Sequence, residues 1–152
     1  FLPENSSGTP LKLKVEINSR EHFSVFPVRR MPFAVQSPWF AGDCLIPTFD
    51  LHELLGTKLR ALYQRRKGRD LFDLWLGLTE GRADPARIVE AFRAYMEFSG
   101  HAVSRAEFAK NLEEKRRHPG FTADLGPLLP VDSAFGFDAA FALLEREILP
   151  RI

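Results

Sequence analysis

Residues 51–78, LHELLGTKLRALYQRRKGRDLFDLWLGL, constrain the fold most, because they read as two amphipathic helices broken at Gly68. In the first, Leu51, Leu54, Leu55, Leu59, Leu62 and Tyr63 recur at the three-four spacing of a helix with one buried face. Asp50 stands where an N-cap belongs, and Glu53 where its capping-box partner belongs. In the second, Leu71, Leu74, Trp75 and Leu78 make the buried stripe. Lys58 is the residue out of place, inside the apolar stripe of the first helix. A lysine stays on such a face only when its amine reaches solvent or a partner. One straight helix would hold Lys58 and Asp73 roughly 22 Å apart at about 1.5 Å per residue. A turn at Gly68 folds the second helix back and is expected to bring them within about 6 Å, where charges perturb each other. Arg69 lies four residues before Asp73, within pairing range. Spacing alone leaves a plainer reading open, in which Arg69 and Asp73 form a surface ion pair and Asp70 is a favourable charge at a helix N-terminus.

The run K-L-R-A-L-x-x-R-R-x-G-R-D-L-F-D-L at residues 58–74 closely resembles the signature of the AbiEii/AbiGii toxin family, nucleotidyltransferase-like proteins that include the MenT toxins. In that family the lysine and the second aspartate of R-D-x-x-D belong to the active site. The resemblance therefore nominates Lys58 and Asp73, with Asp70 as a further catalytic candidate and Arg65 and Arg69 as substrate-binding neighbours. It implies that Lys58 holds a triphosphate and screens the charge that builds in the transition state. Asp73 either orients that lysine or acts as base toward the acceptor hydroxyl, and the sequence does not choose between these.

Upstream, residues 11–18, LKLKVEIN, alternate apolar and polar, the pattern of a half-buried strand. On that pattern Glu16 faces solvent. The family resemblance gives it another role, since such transferases carry a third carboxylate on a strand in the pattern h-[DE]-h, which Val15-Glu16-Ile17 fits. Nucleotidyl transfer uses metal ions to bridge triphosphate oxygens and to activate the attacking hydroxyl. Hard cations such as magnesium take carboxylate oxygens, so Glu16 is the candidate metal ligand and Mg2+ the implied cofactor. Residues 19–48 are apolar but broken by prolines; short strands are expected near residues 33–36 and 44–47, at the edge of a sheet. Cys44, between Gly42-Asp43 and Leu45-Ile46, is expected to be a small buried hydrophobe. Arg29 and Arg30 read as surface residues.

Beyond the helix pair, Asp84 caps a helix with Pro85 at its first position. Ile88, Val89, Phe92, Tyr95 and Met96 form its inner face. Ser104 and Glu107 form a second S-x-x-E box. Residues 118–133 are Pro/Gly-rich and expected to be irregular, and a last helix turns Phe141, Leu144 and Ile148 inward. The four histidines lack metal-ligand spacing.

With 152 residues, 45% of them apolar, the chain has enough for a core, and a net charge of +1 argues neither for nor against nucleic acid. Two basic runs stand out, at residues 65–69 and 115–118; both read as solvated surface, and the family resemblance adds that the run at 65–69 would meet RNA mainly through its phosphates. One cysteine fits a reducing compartment. No apolar run approaches the ~18 residues of a membrane span, and residues 1–8 lack the features of a signal peptide.

The family's nucleotidyltransferase half opens with G-[GS] followed by D-x-D, and no D-x-D occurs in this sequence. The chain is therefore expected to represent the C-terminal part of such a protein and to be inactive by itself. The architecture expected is α+β: residues 1–48 as the late part of a nucleotidyltransferase domain, and residues 49–152 as a helical domain of about five helices. The function implied is that of a cytoplasmic bacterial toxin of a type IV, AbiE-like toxin–antitoxin system. It would move a nucleotide from an NTP to an acceptor such as tRNA, with an antitoxin protein as partner. A rival reading is a non-enzymatic helical domain that docks a partner protein.

Overall fold

The chain turns back on itself at Gly68. A computed structural model describes residues 14, 15, 17, 21–123, 125, 129 and 133–152. Its elements in order are β1 (Arg29–Gln36), β2 (Ala41–Thr48), α1 (Leu51–Gln64), α2 (Gly68–Thr79), α3 (Pro85–Phe98), α4 (Arg105–Arg116), the single turn α5 (Pro119–Thr122), α6 (Phe137–Glu147) and a closing 3-10 turn (Leu149–Arg151). This is the expected α+β arrangement, a two-stranded sheet followed by helices.

Asp50 starts α1 as expected: its side chain accepts from the His52 backbone N–H. Leu55, Leu59 and Leu62 are buried, whereas Leu51 and Leu54 are partly exposed. Gly56 explains how closely α1 and α3 approach. A Cβ there would lie 2.5 Å from the Ala91 Cβ and 2.9 Å from the Phe92 backbone nitrogen. Backbone cannot yield as a flexible side chain does, so Gly56→Val is expected to lower stability by about 2–3 kcal/mol in urea titration. An unchanged unfolding midpoint would show that the two helices have room between them. On the other side of α1, Gly77 of α2 admits Leu55, whose Cδ1 would stand 2.5 Å from a Cβ at that glycine.

The remaining helices follow their sequence signals. Asp84 caps α3 through the Ala86 N–H with Pro85 in the first turn, and Ser104 with Glu107 closes a full capping box on α4. The inner faces expected for α3 and α6 are buried. They meet Leu59, Leu62, Leu71, Leu74, Phe108 and Phe121 in one core. Trp75 and Leu78 only flank that core; Trp75 meets the edge of Phe135 at 5.4 Å between ring centroids. Phe121 is the reason residues 118–133 are not irregular throughout: its burial draws residues 119–122 into a helical turn.

Three sequence expectations need correction. Glu53 does not close a capping box. Its carboxylate turns inward, fully buried, and accepts from the backbone N–H of Val25 at 2.8 Å, that of Phe26 at 3.0 Å and the Tyr95 hydroxyl at 2.7 Å. Asp50 already satisfies the helix start, which leaves Glu53 to serve donors from distant segments. Burial, and then the bond to Glu53, push the Tyr95 hydroxyl pKa well above its ordinary value. Cys44 is exposed rather than buried. It lies opposite Phe33 in the antiparallel β1/β2 pair, and nearly every residue of both strands is exposed because no second layer covers them among the described residues. Arg29, expected at the free surface, reaches from β1 to the buried Asp50 carboxylate at 2.6 Å. The strand expected over residues 11–18 lies largely outside the described residues, as does Glu16. Val15 and Ile17 are described; both are exposed and neither is in a strand.

Candidate active site

The fold-back at Gly68 accounts for Lys58. Its Nζ lies 2.6 Å from Asp73 Oδ2 and 3.9 Å from Asp70 Oδ1, so the expected approach of Lys58 and Asp73 is met with room to spare. The lysine stem leaves the apolar stripe of α1 and carries its ammonium across to α2. The Lys58 side chain is 39% exposed, Asp73 is similarly open, and Asp70 is wholly buried.

Asp70 has a different partner from the one its neighbours suggest. Arg65, five residues earlier across the break, donates from Nε to Asp70 Oδ2 and from a terminal nitrogen to Oδ1, each at 2.7 Å. This two-pronged geometry is the strongest form of carboxylate recognition by arginine. Arg69 is exposed and makes no ion pair with Asp73 among the described residues. The reason is geometric: α2 begins at Gly68, so Asp70 in its first turn faces the end of α1, where Arg65 stands. Sequence spacing suggested Arg69 with Asp73; an arginine and an aspartate on either side of a helix break were the signal for the actual pair.

The result is two cations and two carboxylates in formal balance around one buried group, Asp70; Arg65, Lys58 and Asp73 are all partly exposed. Arg65 fixes Asp70 with two bonds. Lys58 and Asp73 form the other pair, where an ammonium with three donors can meet phosphate oxygen and a partly exposed carboxylate can accept a proton. Magnesium is a separate matter. Among the described residues no group of three metal-binding side chains converges. Both Asp70 oxygens are held by Arg65, and Asp73 is matched by Lys58. These carboxylates do not fit a divalent-metal site, and Glu16, the proposed ligand, lies outside the described residues. Asp43 sits on the exposed hairpin, opposite Ala34, and Asp50 is held by Arg29 and His52, so neither joins the cluster. Asp50 is buried, which favours its neutral form. Hydrogen bonds from His52 and Arg29 outweigh that and hold its pKa at about 2.

The second basic run is not simply solvated. Lys115 is buried, donating to the Tyr63 carbonyl at 2.9 Å and to the Asn111 side chain. That carbonyl, in the last turn of α1, has no helical donor to use, and Lys115 and Asn111 both serve it. Burial, then the charge of Arg66, bring the Lys115 pKa down to about 8, against the pull of Glu114 and Asp70. Between about 8 and the ordinary value of 10.5 the folded state binds fewer protons than the unfolded one, so this group makes stability rise with pH across that window. Lys115→Met is expected to flatten the rise, measured as denaturation midpoints from pH 7 to pH 10.5. An equal slope in both proteins would mean that Lys115 titrates as a free lysine.

No helix among the described residues is long and apolar enough to cross a membrane. No curated protein and no solved structure matches the chain. One family profile does, described as nucleotidyl transferase AbiEii toxin, type IV TA system, and it covers residues 1–143. A match over so much of the sequence, with the Lys58 and Asp73 pair assembled inside it, settles the family: the chain belongs to the AbiEii toxins of type IV toxin–antitoxin systems, a family of nucleotidyl transferases.

Proposed function

We propose that this protein transfers a nucleotide from an NTP to an RNA acceptor, the 3′ end of a tRNA, and that a cognate antitoxin protein restrains it. The observation that carries the reading is the Lys58 ammonium, partly exposed and held 2.6 Å from Asp73 beside the buried Asp70. In this reading Lys58 grips the triphosphate and offsets the charge that develops on it during transfer. Asp73 orients that amine. Asp70, fixed by Arg65, keeps the second carboxylate at 3.9 Å and helps to hold Lys58 in place. Residues 1–48 are the late part of the nucleotidyltransferase domain and residues 49–152 the helical domain. Magnesium is part of the proposal; the described carboxylates are matched by cations, and Glu16 is the ligand this chain would contribute. Family membership favours this reading over a helical docking module without catalysis.

The test incubates each radiolabelled NTP with total tRNA and magnesium. Label is expected on tRNA when this sequence is joined to a G-[GS]…D-x-D half, and not with residues 1–152 alone, which contain no D-x-D. Two-metal chemistry needs several oxygen ligands around ions about 3.5–4 Å apart. Transfer by residues 1–152 alone would refute the argument from the missing aspartates, and no transfer by the joined protein to any RNA would sink the transferase proposal.

A further inference from the structure

The two basic runs, some fifty residues apart in sequence, close on one depression. Its volume is about 440 Å³, and Tyr63, Arg65, Arg66, Asn111, Glu114 and Lys115 lie on its wall. It is formed where the last turn of α1 meets the last turns of α4, joined by the bonds from Asn111 and Lys115 to the Tyr63 carbonyl and by the stacking of Tyr63 on Phe108 at 5.6 Å. We propose that this depression is a phosphate-binding site, adjoining the Lys58 and Asp73 pair and separated from it by Arg65.

Three observations support it. The first is charge. Asp70 balances Arg65, which leaves Arg66 and Lys115 against the single carboxylate of Glu114. A buried ammonium beside a guanidinium is an arrangement that an arriving anion relieves. Burial first, and then the charge of Arg66, lower the Lys115 pKa. The second is form. The wall is mainly polar, the Asn111 amide and the Lys115 amine are held in place by backbone and by each other, and the space exceeds that of a phosphate group. Donors fixed before the ligand arrives lose little freedom on binding it. The third is position. Arg65 lines the depression and also grips Asp70 with Nε and a terminal nitrogen, and Asp70 is 3.9 Å from Lys58. A phosphate here therefore lies next to the transfer site without occupying it. The source of the phosphate rests on the transferase reading: it is either the backbone of the RNA acceptor or the triphosphate of the NTP. The binding chemistry is the same for both.

The experiment measures binding without turnover, so it stands whether or not transfer occurs. The full chain and its Arg66→Ala, Lys115→Met and Arg105→Ala variants are titrated with inorganic tripolyphosphate and with a fluorescein-labelled single-stranded oligoribonucleotide over a range of salt. Arg66 is exposed, so its variant tests the site even if Lys115→Met folds poorly, which a melting curve reports. Arg105, at the opposite end of α4, controls for diffuse charge. Arg66→Ala is expected to weaken binding about fivefold to tenfold at low salt and to reduce the log–log salt slope by about one. Arg105→Ala is expected to leave both unchanged. Loss with both probes assigns the site to backbone phosphates; loss confined to tripolyphosphate assigns it to the triphosphate. Equal effects of Arg66→Ala and Arg105→Ala, or none from Arg66→Ala, would overturn the proposal while leaving the transferase reading intact.

Discussion

Lys58→Ala, made in the protein joined to a G-[GS]…D-x-D half, is expected to reduce nucleotide transfer by about a hundredfold to a thousandfold, the range for losing one preorganised electrostatic partner of a transition state, and to leave the fold in place. The structural side of this follows from the charge cluster. Asp73 loses its cation but is partly exposed, so water takes over, and the buried Asp70 keeps both bonds from Arg65. Alanine is a better helix former than lysine, and the apolar neighbours Leu55, Leu59 and Leu62 are already packed without the amine. The checks are transfer of labelled nucleotide per folded molecule and a melting curve on the same sample. A clear loss of stability with unchanged turnover would identify Lys58 as a structural residue and remove the main support for the proposed function.

Glu53→Ala is the substitution expected to damage the fold most, by about 4 kcal/mol. Hydrogen bonds to a charged group contribute about 1.5–3 kcal/mol each when broken in isolation, and every buried donor left unpaired adds its own desolvation penalty. Here the Val25 and Phe26 amides and the Tyr95 hydroxyl lose their acceptor together. The sum stays below a simple addition because the segment holding Val25 can relax toward water. A loss of that size approaches the whole stability of a small domain. Tyr95→Phe removes one donor and its need for an acceptor at once, and is expected to cost only about 1 kcal/mol. Glu53→Gln should fall between, since an amide offers one acceptor oxygen and turns two donors toward donors. Denaturant unfolding of the three variants gives the order. Glu53→Ala within 1 kcal/mol of the parent would mean that water already reaches the carboxylate.

Glu53 also marks where sequence reading reached its limit. Three residues after Asp50, it has the spacing of a capping box, and local spacing carries no information about residues 25, 26 and 95. Lys58 was legible for the opposite reason. A cation inside an apolar stripe states a local conflict, and Gly68 states where the chain can turn to resolve it. The pairing of Arg65 rather than Arg69 with the R-D-x-x-D acids depended on the starting residue of α2, and helix boundaries are the least certain feature of a sequence pattern. Cys44 was misread because its apolar neighbours describe a strand, but not whether a layer covers that strand. Lys115 looked like one more charge in a basic run; its burial came from a carbonyl at the end of another helix. A local conflict with a marked turn, as at Lys58 and Gly68, was readable; pairings set by an exact helix boundary or by a partner tens of residues away were not.

The inward turn of Glu53 has a consequence for time rather than for energy. The segment that precedes β1 contains no helix or strand where Val25 and Phe26 lie. Ordinary loop amides trade their hydrogens with solvent almost as fast as an unfolded chain does. These two donate to a buried carboxylate of α1 that also accepts from Tyr95 of α3, so each exchanges only when its bond to that carboxylate opens. Two protons in a stretch of irregular backbone thus exchange more slowly than their neighbours, and their exchange reads how often this segment lets go of the helix that carries Lys58.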